Sequence, residues 1–194
     1  MWRVPPVRQL KCEHVPTVVI VGVLLAILGN MAMAAQDRYT VSVPGGLSFA
    51  EFKGYEGWQV INLSHSEKLL AVTLGNPAMA DAYKAGIPAN GKPVPDGAKM
   101  AKIHWVPKVR EEIPGQPTVP GTLHDVDFMV KDSKRFADSG GWGYGAFKYD
   151  AASDIFAPAD ENDTPPQAHD AKCGFACHTV VQANDYVFTE YPKR

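Results

Sequence analysis

The feature that most constrains this chain is the sequence KCGFACH at residues 172–178, near the C-terminus. In a c-type haem site two cysteine thiols are joined to the porphyrin vinyls, and a histidine directly after the second cysteine becomes the proximal iron ligand. Cys177 and His178 keep that arrangement. The motif usually has two residues between its cysteines, and the additional residue here rotates Cys173 by about 100° on a regular helix. Either the backbone bulges at Gly174, which tolerates positive φ, or Cys173 reaches its vinyl group differently.

Two other chemistries are possible for the same residues. In an oxidising compartment Cys173 and Cys177 could form a disulfide. His169, Cys173 and Cys177 have helical spacing, and with His178 they could supply the four ligands of a structural zinc site. Against zinc, Pro165-Pro166 places His169 beside a loop. We therefore predict covalent haem c on Cys173 and Cys177, with iron bound by His178, and keep the disulfide and zinc as alternatives.

The N-terminus predicts export. Basic residues precede an apolar run over residues 17–28, which leads to Ala32-Met33-Ala34-Ala35. This order of basic, apolar and small residues is typical of a secretory signal. The run is about twelve residues, whereas a membrane-spanning helix needs roughly twenty. We predict that residues 1–34 are a cleaved signal peptide and that residues 35–194 form one periplasmic domain, with an uncleaved anchor as the alternative.

Composition excludes some classes of partner. The formal net charge is −2, and basic residues are not clustered, so nucleic acid is not an expected partner. Of the three cysteines, Cys12 lies in the predicted signal. A domain of this size can bury its own core without a disulfide framework.

The hydrophobic pattern predicts a mostly β domain with a few short helices, which is an α+β fold, and the chain ends in a haem-attachment segment. Short runs that are apolar or alternate in polarity, bounded by turn residues, are typical of strands. The predicted strands are residues 58–63, 69–74, 99–106, 126–130 and 142–149.

Two short helices fit between the strands. Asn76 is placed to cap a helix that has Pro77 at its first position and continues over residues 78–85. Asp132 or Ser133 can cap a second, which extends to residue 137. The Pro- and Gly-rich segments, together with an acidic one, predict ordered loops over a single core, at residues 87–97, 113–121 and 157–168.

The C-terminal sequence AKCGFACHTVVQANDYVFTEYP resembles the end of the cytochrome P460 family, in which a haem motif is followed by an Asp-x-Val-Phe-Thr segment, here residues 185–189. Two further blocks are similar to the family, VKDSKRFA at residues 130–137 and DGAKMAK at residues 96–102. The resemblance begins near Gly57. It implies an exported, mostly antiparallel β-sheet domain that forms a homodimer and carries one haem with an open distal face.

The resemblance also implies a role for Lys102, which falls where the family has a lysine joined covalently to the porphyrin edge. Such a cross-link would make the cofactor a P460-type haem. The residue could instead be a surface lysine whose stem covers apolar neighbours. Lys99 could take its place if the strand register differs.

Other residues around the haem follow from the same resemblance. Asp127 occupies the position of a distal carboxylate that could accept protons from a bound nitrogen species, or it is a solvated strand residue. Phe128 and Phe147 are expected as walls of the pocket. An arginine found in some members corresponds here to Ala71 or a neighbour, so Arg110 or Arg135 would have to replace it.

The implied function is oxidation of hydroxylamine, to nitrous oxide or nitric oxide, with electrons passed to a soluble acceptor such as another cytochrome c. An open distal site is also indicated by the methionines, because none of Met79, Met100 and Met129 lies in a sequence context typical of an iron ligand. The alternatives are a nitric oxide-binding or electron-transfer protein similar to the β-sheet cytochromes c′, without the lysine cross-link, and a haem-free disulfide protein.

Overall fold

Six antiparallel strands form one sheet in a computed structural model, which describes residues 35–43, 46–159 and 169–193, with residues 169–173 described by their backbone alone. Their order in the sheet is their order in the sequence, so each strand pairs with the next. This confirms the predicted fold class. The strands are β1 (Gln59–His65), β2 (Leu70–Gly75), β3 (Lys99–Val109), β4 (Thr118–Lys131), β5 (Trp142–Asp150) and β6 (Ile155–Pro158).

The structure extends the predicted sheet in two places. β3 and β4 continue past the predicted strand ends as a two-stranded ribbon, where Lys108 pairs with Val119. The predicted loop over residues 113–121 is therefore partly strand. Neither β2 nor β5 pairs with this part of the ribbon, so its strands are edge strands. Pro120 is tolerated there because an edge strand has backbone positions that need no N–H donor. β6 was not predicted, because it is short and ends in a proline.

The first predicted helix is confirmed and the second is wrong. Helix α1 spans Pro77–Lys84, and the Asn76 side chain accepts a hydrogen bond from the Met79 N–H at 3.0 Å. Asp132 does cap the following turn, where its carboxylate accepts from two backbone N–H groups. The chain then forms only a 3-10 turn, Ala137–Ser139, because Gly140 follows in a left-handed conformation and ends it. Helix α2 spans His169–His178.

One face of the sheet is covered by the segment that precedes β1. A 3-10 turn, Phe49–Phe52, begins at a capping box formed by Ser48 and Glu51. The Phe49 ring lies 5.1 Å from the ring of Phe128, and the Phe52 ring stacks on Phe128 at 4.1 Å. Such aromatic pairs add about 0.5–1.5 kcal/mol beyond the area that they bury. This aromatic cluster forms the core on that face.

The opposite face is covered by α1, α2 and the C-terminal segment. Its core contains Met79, Trp142 and Val187, all nearly inaccessible to solvent. Residues 35–194 form one compact unit. In the part of the chain that the structure describes, no helix is long and apolar enough to cross a membrane. The predicted signal peptide, residues 1–34, and the acidic part of the predicted loop over residues 157–168 lie outside the described residues.

Candidate haem site

A cavity of about 360 Å³ lies on the face of the sheet that the C-terminal segment covers. Residues paired across an antiparallel sheet project from the same face. The register pairs Thr73 with Lys102, Lys102 with Asp127, and Asp127 with Ala146, so four strands supply one row of side chains to the cavity. The other described lining residues are Met100, Phe128, Met129, Tyr144, Gly145, Gly174, Cys177, His178, Val187, Phe188 and Thr189.

His178 is the last residue of α2, and two aromatic rings lie close to its own at the cavity. The ring centroids of Tyr144 and Phe188 are 5.1 Å and 4.8 Å from its own. Its Nδ1 lies 2.6 Å from the backbone oxygen of Tyr186. A carbonyl oxygen only accepts, so Nδ1 carries the proton and donates it, and in the neutral ring Nε2 keeps its lone pair. This is the tautomer that a metal-binding histidine needs.

The surroundings of His178 favour its neutral form. Burial lowers the pKa of His178 below its ordinary value, the hydrogen bond to the Tyr186 carbonyl acts in the opposite direction, and the positive charge of Lys102 lowers it further. A neutral imidazole at neutral pH is the form that binds iron.

Helix α2 is continuous from His169 to His178, so the cysteine motif contains no bulge at Gly174. The reason for a glycine there is steric. A Cβ on Gly174 would lie 2.9 Å from the Cβ and Cγ atoms of Tyr144 on β5. Gly174 therefore lets the helix approach the sheet closely. Cys177 has a free, exposed thiol beside the cavity, whereas the side chain of Cys173 lies outside the described part of the chain.

Lys102 and Lys99 lie on opposite faces of the sheet. Lys102 lines the cavity. Lys99 points into the aromatic core on the other face, where its ammonium donates to the Glu51 carbonyl at 2.6 Å and lies 5.4 Å from the centre of the Phe52 ring. Because strand residues alternate in direction, positions separated by three face opposite ways. Lys102, and not Lys99, is thus the lysine at the cavity.

Asp127 lies beside a hydrogen-bonded pair that the sequence reasoning missed. Its Oδ2 is 3.8 Å from the Nδ1 of His104, and His104 is hydrogen-bonded to Asp125. The other oxygen of Asp125 lies 2.6 Å from Nδ1 of the half-exposed His124. Burial would raise the pKa of Asp125, but hydrogen bonds and charge from the two histidines outweigh it and hold this pKa below its ordinary value.

These groups connect the cavity edge to the surface. The ligand atoms of His104, Asp125 and Asp127 lie within 4.8 Å of one another, so the group can hold a cation. The alternation of strand residues could have revealed it, because residue 104 follows Lys102 by two positions and residue 125 precedes Asp127 by two. Each pair therefore shares a face.

Of the two phenylalanines expected as pocket walls, Phe128 borders the cavity and Phe147 does not. The ring of Phe147 is fully buried in the aromatic core, 5.1 Å from that of Phe49, and Phe147 does not line the cavity. Phe128 borders the cavity, but its ring stacks on Phe52 on the opposite face. Residues 128 and 127 are consecutive in a strand, so their side chains cannot share a face. The apolar walls come instead from residues that were not predicted, Val187 and Phe188.

The structure also shows where the methionines considered as iron ligands lie, and where the two arginines considered for substrate binding lie. Met100 and Met129 line the cavity while packing in the core of that face, and Met79 is fully buried there. Arg135 binds Glu51 at 2.6 Å on the exposed surface. Arg110 pairs with Glu112 beyond the end of β3. None of the described residues that line the cavity is an arginine.

Together these features define a class of protein. An antiparallel sheet carries a largely apolar cavity, and the helix above it ends in a free cysteine thiol followed by a histidine whose Nε2 is available for a metal. These donors fit covalent haem, with Cys177 beside the cavity and His178 as the iron ligand.

A sequence model of the family described as cytochrome P460 matches residues 52–189. The chain belongs to the cytochrome P460 family, and it is a haem c protein of P460 type. No curated protein sequence matches the chain.

Proposed function

We propose that this protein oxidises hydroxylamine at a haem c held by Cys173, Cys177 and His178 and cross-linked to Lys102. One observation carries the proposal: Lys102 and Asp127 are register partners on the cavity face, and His178 lines the same cavity. A lysine nitrogen bonded to the porphyrin edge would interrupt the conjugation of the ring and change its electronic properties. That would tune the cofactor in addition to its axial ligand and burial.

Each residue has a separate task in this proposal. Haem bound here would be held by Cys173, Cys177 and the Nε2 of His178, and it would supply a redox-active iron that can take up electrons from hydroxylamine. Hydroxylamine loses protons together with its electrons, and Asp127 accepts them as the general base. The Asp127 side chain is 46% exposed, so it can release each proton to solvent.

The electrons need an acceptor outside the cavity. We propose a soluble one, such as another cytochrome c, and a periplasmic site of action, as the N-terminal sequence predicts. Phe188 lines the cavity and is also half-exposed, so the cavity borders the surface where an acceptor can approach. We further propose that the protein forms a homodimer, as the family resemblance implies.

A second function is supported by the apolar part of the cavity. Met100, Met129, Val187 and Phe188 give it a largely apolar lining. Nitric oxide is small and uncharged, so such a cavity suits its capture without chemistry. Without the Lys102 cross-link, the protein would act as a nitric oxide-binding or electron-transfer protein similar to the β-sheet cytochromes c′. A haem-free disulfide protein is the remaining alternative.

The test compares two lysine variants of protein matured with c-type haem machinery. Lys102→Leu is expected to shift the ferrous Soret band from a red-shifted position to that of an ordinary c-type haem and to abolish hydroxylamine oxidation. Haem attachment should persist, because the cysteines are unchanged. Lys99→Leu is the matched control, since this lysine is on the same strand but faces the opposite core. It should retain the wild-type spectrum and activity.

Other outcomes separate the alternatives. An ordinary ferrous spectrum in the wild type, with a tryptic haem peptide that lacks the strand around Lys102, would contradict the enzyme and favour nitric oxide capture. An intact mass equal to the bare polypeptide, less the two hydrogens lost in a disulfide, would contradict haem attachment altogether.

A further inference from the structure

The carbonyl that receives the hydrogen bond of His178 lies in an unusual stretch of backbone. Asp185 and Tyr186 are consecutive, and both have positive φ, 48° and 63°. Left-handed φ is uncommon for residues other than glycine, and it persists where the surrounding structure overdetermines the backbone. Tyr186 supplies the acceptor oxygen for Nδ1 of His178, at 2.6 Å. The conformation of these two residues thus decides where that oxygen lies.

Asp185 is held at every polar atom of its side chain. One carboxylate oxygen accepts from the ammonium of Lys131 at 2.7 Å, and the other accepts from the Val94 N–H at 2.7 Å. Its backbone oxygen accepts from the indole N–H of Trp142 at 2.9 Å. The ion pair is largely buried, with the Lys131 side chain 7% exposed and that of Asp185 14% exposed. Low exposure strengthens such contacts and makes an unpaired partner costly.

Tyr186 is held by packing. A Cβ on Gly140 would lie 2.2 Å from the Tyr186 ring, so the ring lies directly on that glycine. The ammonium of Lys131 donates to the Gly140 carbonyl at 3.0 Å, which joins the glycine to the same network. The Tyr186 ring also lies 5.6 Å, between centroids, from the ring of Phe175 on α2. These contacts of Asp185 and Tyr186 therefore fix the backbone that leads to the acceptor carbonyl.

We infer that Lys131 and Asp185 are positioning residues for the proximal histidine: their buried ion pair holds the Tyr186 carbonyl on Nδ1 of His178 and so sets how strongly this histidine donates to the iron. The inference rests on the assignment of His178 as the iron ligand in the proposed function. A hydrogen bond from the second ring nitrogen fixes the ring and raises the basicity of the metal-binding nitrogen. Stronger donation favours ferric over ferrous iron.

The primary variants are Asp185→Asn and Lys131→Met in the haem-loaded protein. Asparagine has the same shape as aspartate and tolerates left-handed φ, so the first variant removes mainly the charge. Methionine keeps the apolar stem of Lys131 and removes its ammonium. We expect the iron–histidine stretching band of the ferrous protein, measured by resonance Raman spectroscopy, to move to lower frequency in both variants. The midpoint potential should rise, because weaker donation destabilises ferric iron more.

Two controls distinguish positioning from general support of the fold. Lys131→Arg keeps the charge and should restore most of the wild-type frequency and potential. Arg135→Met breaks the exposed ion pair with Glu51, away from the cavity, and should change neither. If Asp185→Asn does not fold, the comparison of Lys131→Met with Lys131→Arg decides the question.

Lower stability with unchanged frequency and potential in Lys131→Met would overturn the inference and leave the ion pair a purely structural role. A wild-type protein without an iron–histidine band would also overturn it, because His178 would not be the ligand. If the wild type does not oxidise hydroxylamine but the bands shift as expected, the enzyme proposal fails and the inference stands.

Discussion

Replacing Gly174 by alanine tests how closely the haem-attachment helix must approach the sheet. The new Cβ would lie 2.9 Å from Cβ and Cγ of Tyr144 and 3.0 Å from its Cδ1. Tyr144 cannot move aside easily, since its backbone pairs with Met129 in the sheet and its side chain is buried. The helix must therefore shift away from β5 or the ring must leave its rotamer.

Two effects oppose each other in this variant. Alanine is favoured over glycine inside a helix by about 1 kcal/mol. Overpacking a well-filled contact costs about 1–3 kcal/mol, and three close contacts with a buried ring place Gly174→Ala in the upper part of that range. We therefore expect a net loss of about 1–2 kcal/mol in the free energy of unfolding, which lowers Tm by about 2–4 °C per kcal/mol for a chain of this size.

The assay is urea unfolding of the haem-loaded protein, followed by circular dichroism, together with the wild type and a control. Gly57→Ala is the control because a Cβ there meets no atom within 4 Å, so its stability should stay within about 0.5 kcal/mol of the wild type. Equal or greater stability of Gly174→Ala would refute the argument that this glycine is required by contact with Tyr144.

Three further predictions concern single groups. Tyr144→Phe should raise the free energy of unfolding by about 1–3 kcal/mol in urea titrations, because the buried hydroxyl of Tyr144 has no hydrogen-bond partner among the residues that the structure describes. A loss of stability would show that the hydroxyl is paired in solution. Burial raises the pKa of Tyr83 to about 12, so the stability that this residue contributes is complete below its unfolded pKa near 10 and is lost as pH rises towards 12. Tyr83→Phe should therefore lessen the loss of stability in unfolding measured from pH 9 to 12. An identical pH profile of the two proteins would contradict this. Asp127→Asn should lower steady-state hydroxylamine oxidation about 10²–10⁴-fold with the haem spectrum unchanged, and an undiminished rate would exclude this carboxylate as the base.

Local patterns in the sequence determined much of this molecule. The period of two along the strands predicted the sheet, and Asn76-Pro77 marked the start of α1 because capping depends on residues that are adjacent in the chain. The same period implies that Lys102 and Lys99 face opposite sides, but not which side carries the cavity. Which side carries the cavity depends on the segment before β1, because its phenylalanines cover the face on which Lys99 lies.

The assignment of faces was decided by tertiary packing. Phe128 was expected beside Asp127 in the pocket, yet adjacent strand residues point in opposite directions. The Phe128 ring stacks on Phe52 on the other face of the sheet. A backbone bulge at Gly174 was one of two explanations for the cysteine spacing, whereas the structure gives this residue a helical conformation and a close neighbour, Tyr144. A sequence shows that a glycine is present, but it does not show whether the requirement is conformational or steric.

The support of the candidate iron ligand depends most on the tertiary structure. Cys177 and His178 are adjacent, so chemistry alone singles them out. The groups that fix the His178 ring come from distant parts of the chain, because Lys131 reaches Asp185 across 54 positions and Asp185 in turn orients the neighbouring carbonyl. Contacts between residues so far apart have no periodicity in sequence. They form only when the sheet and the C-terminal segment pack together and exclude water, which makes the buried ion pair strong enough to hold a left-handed backbone in place.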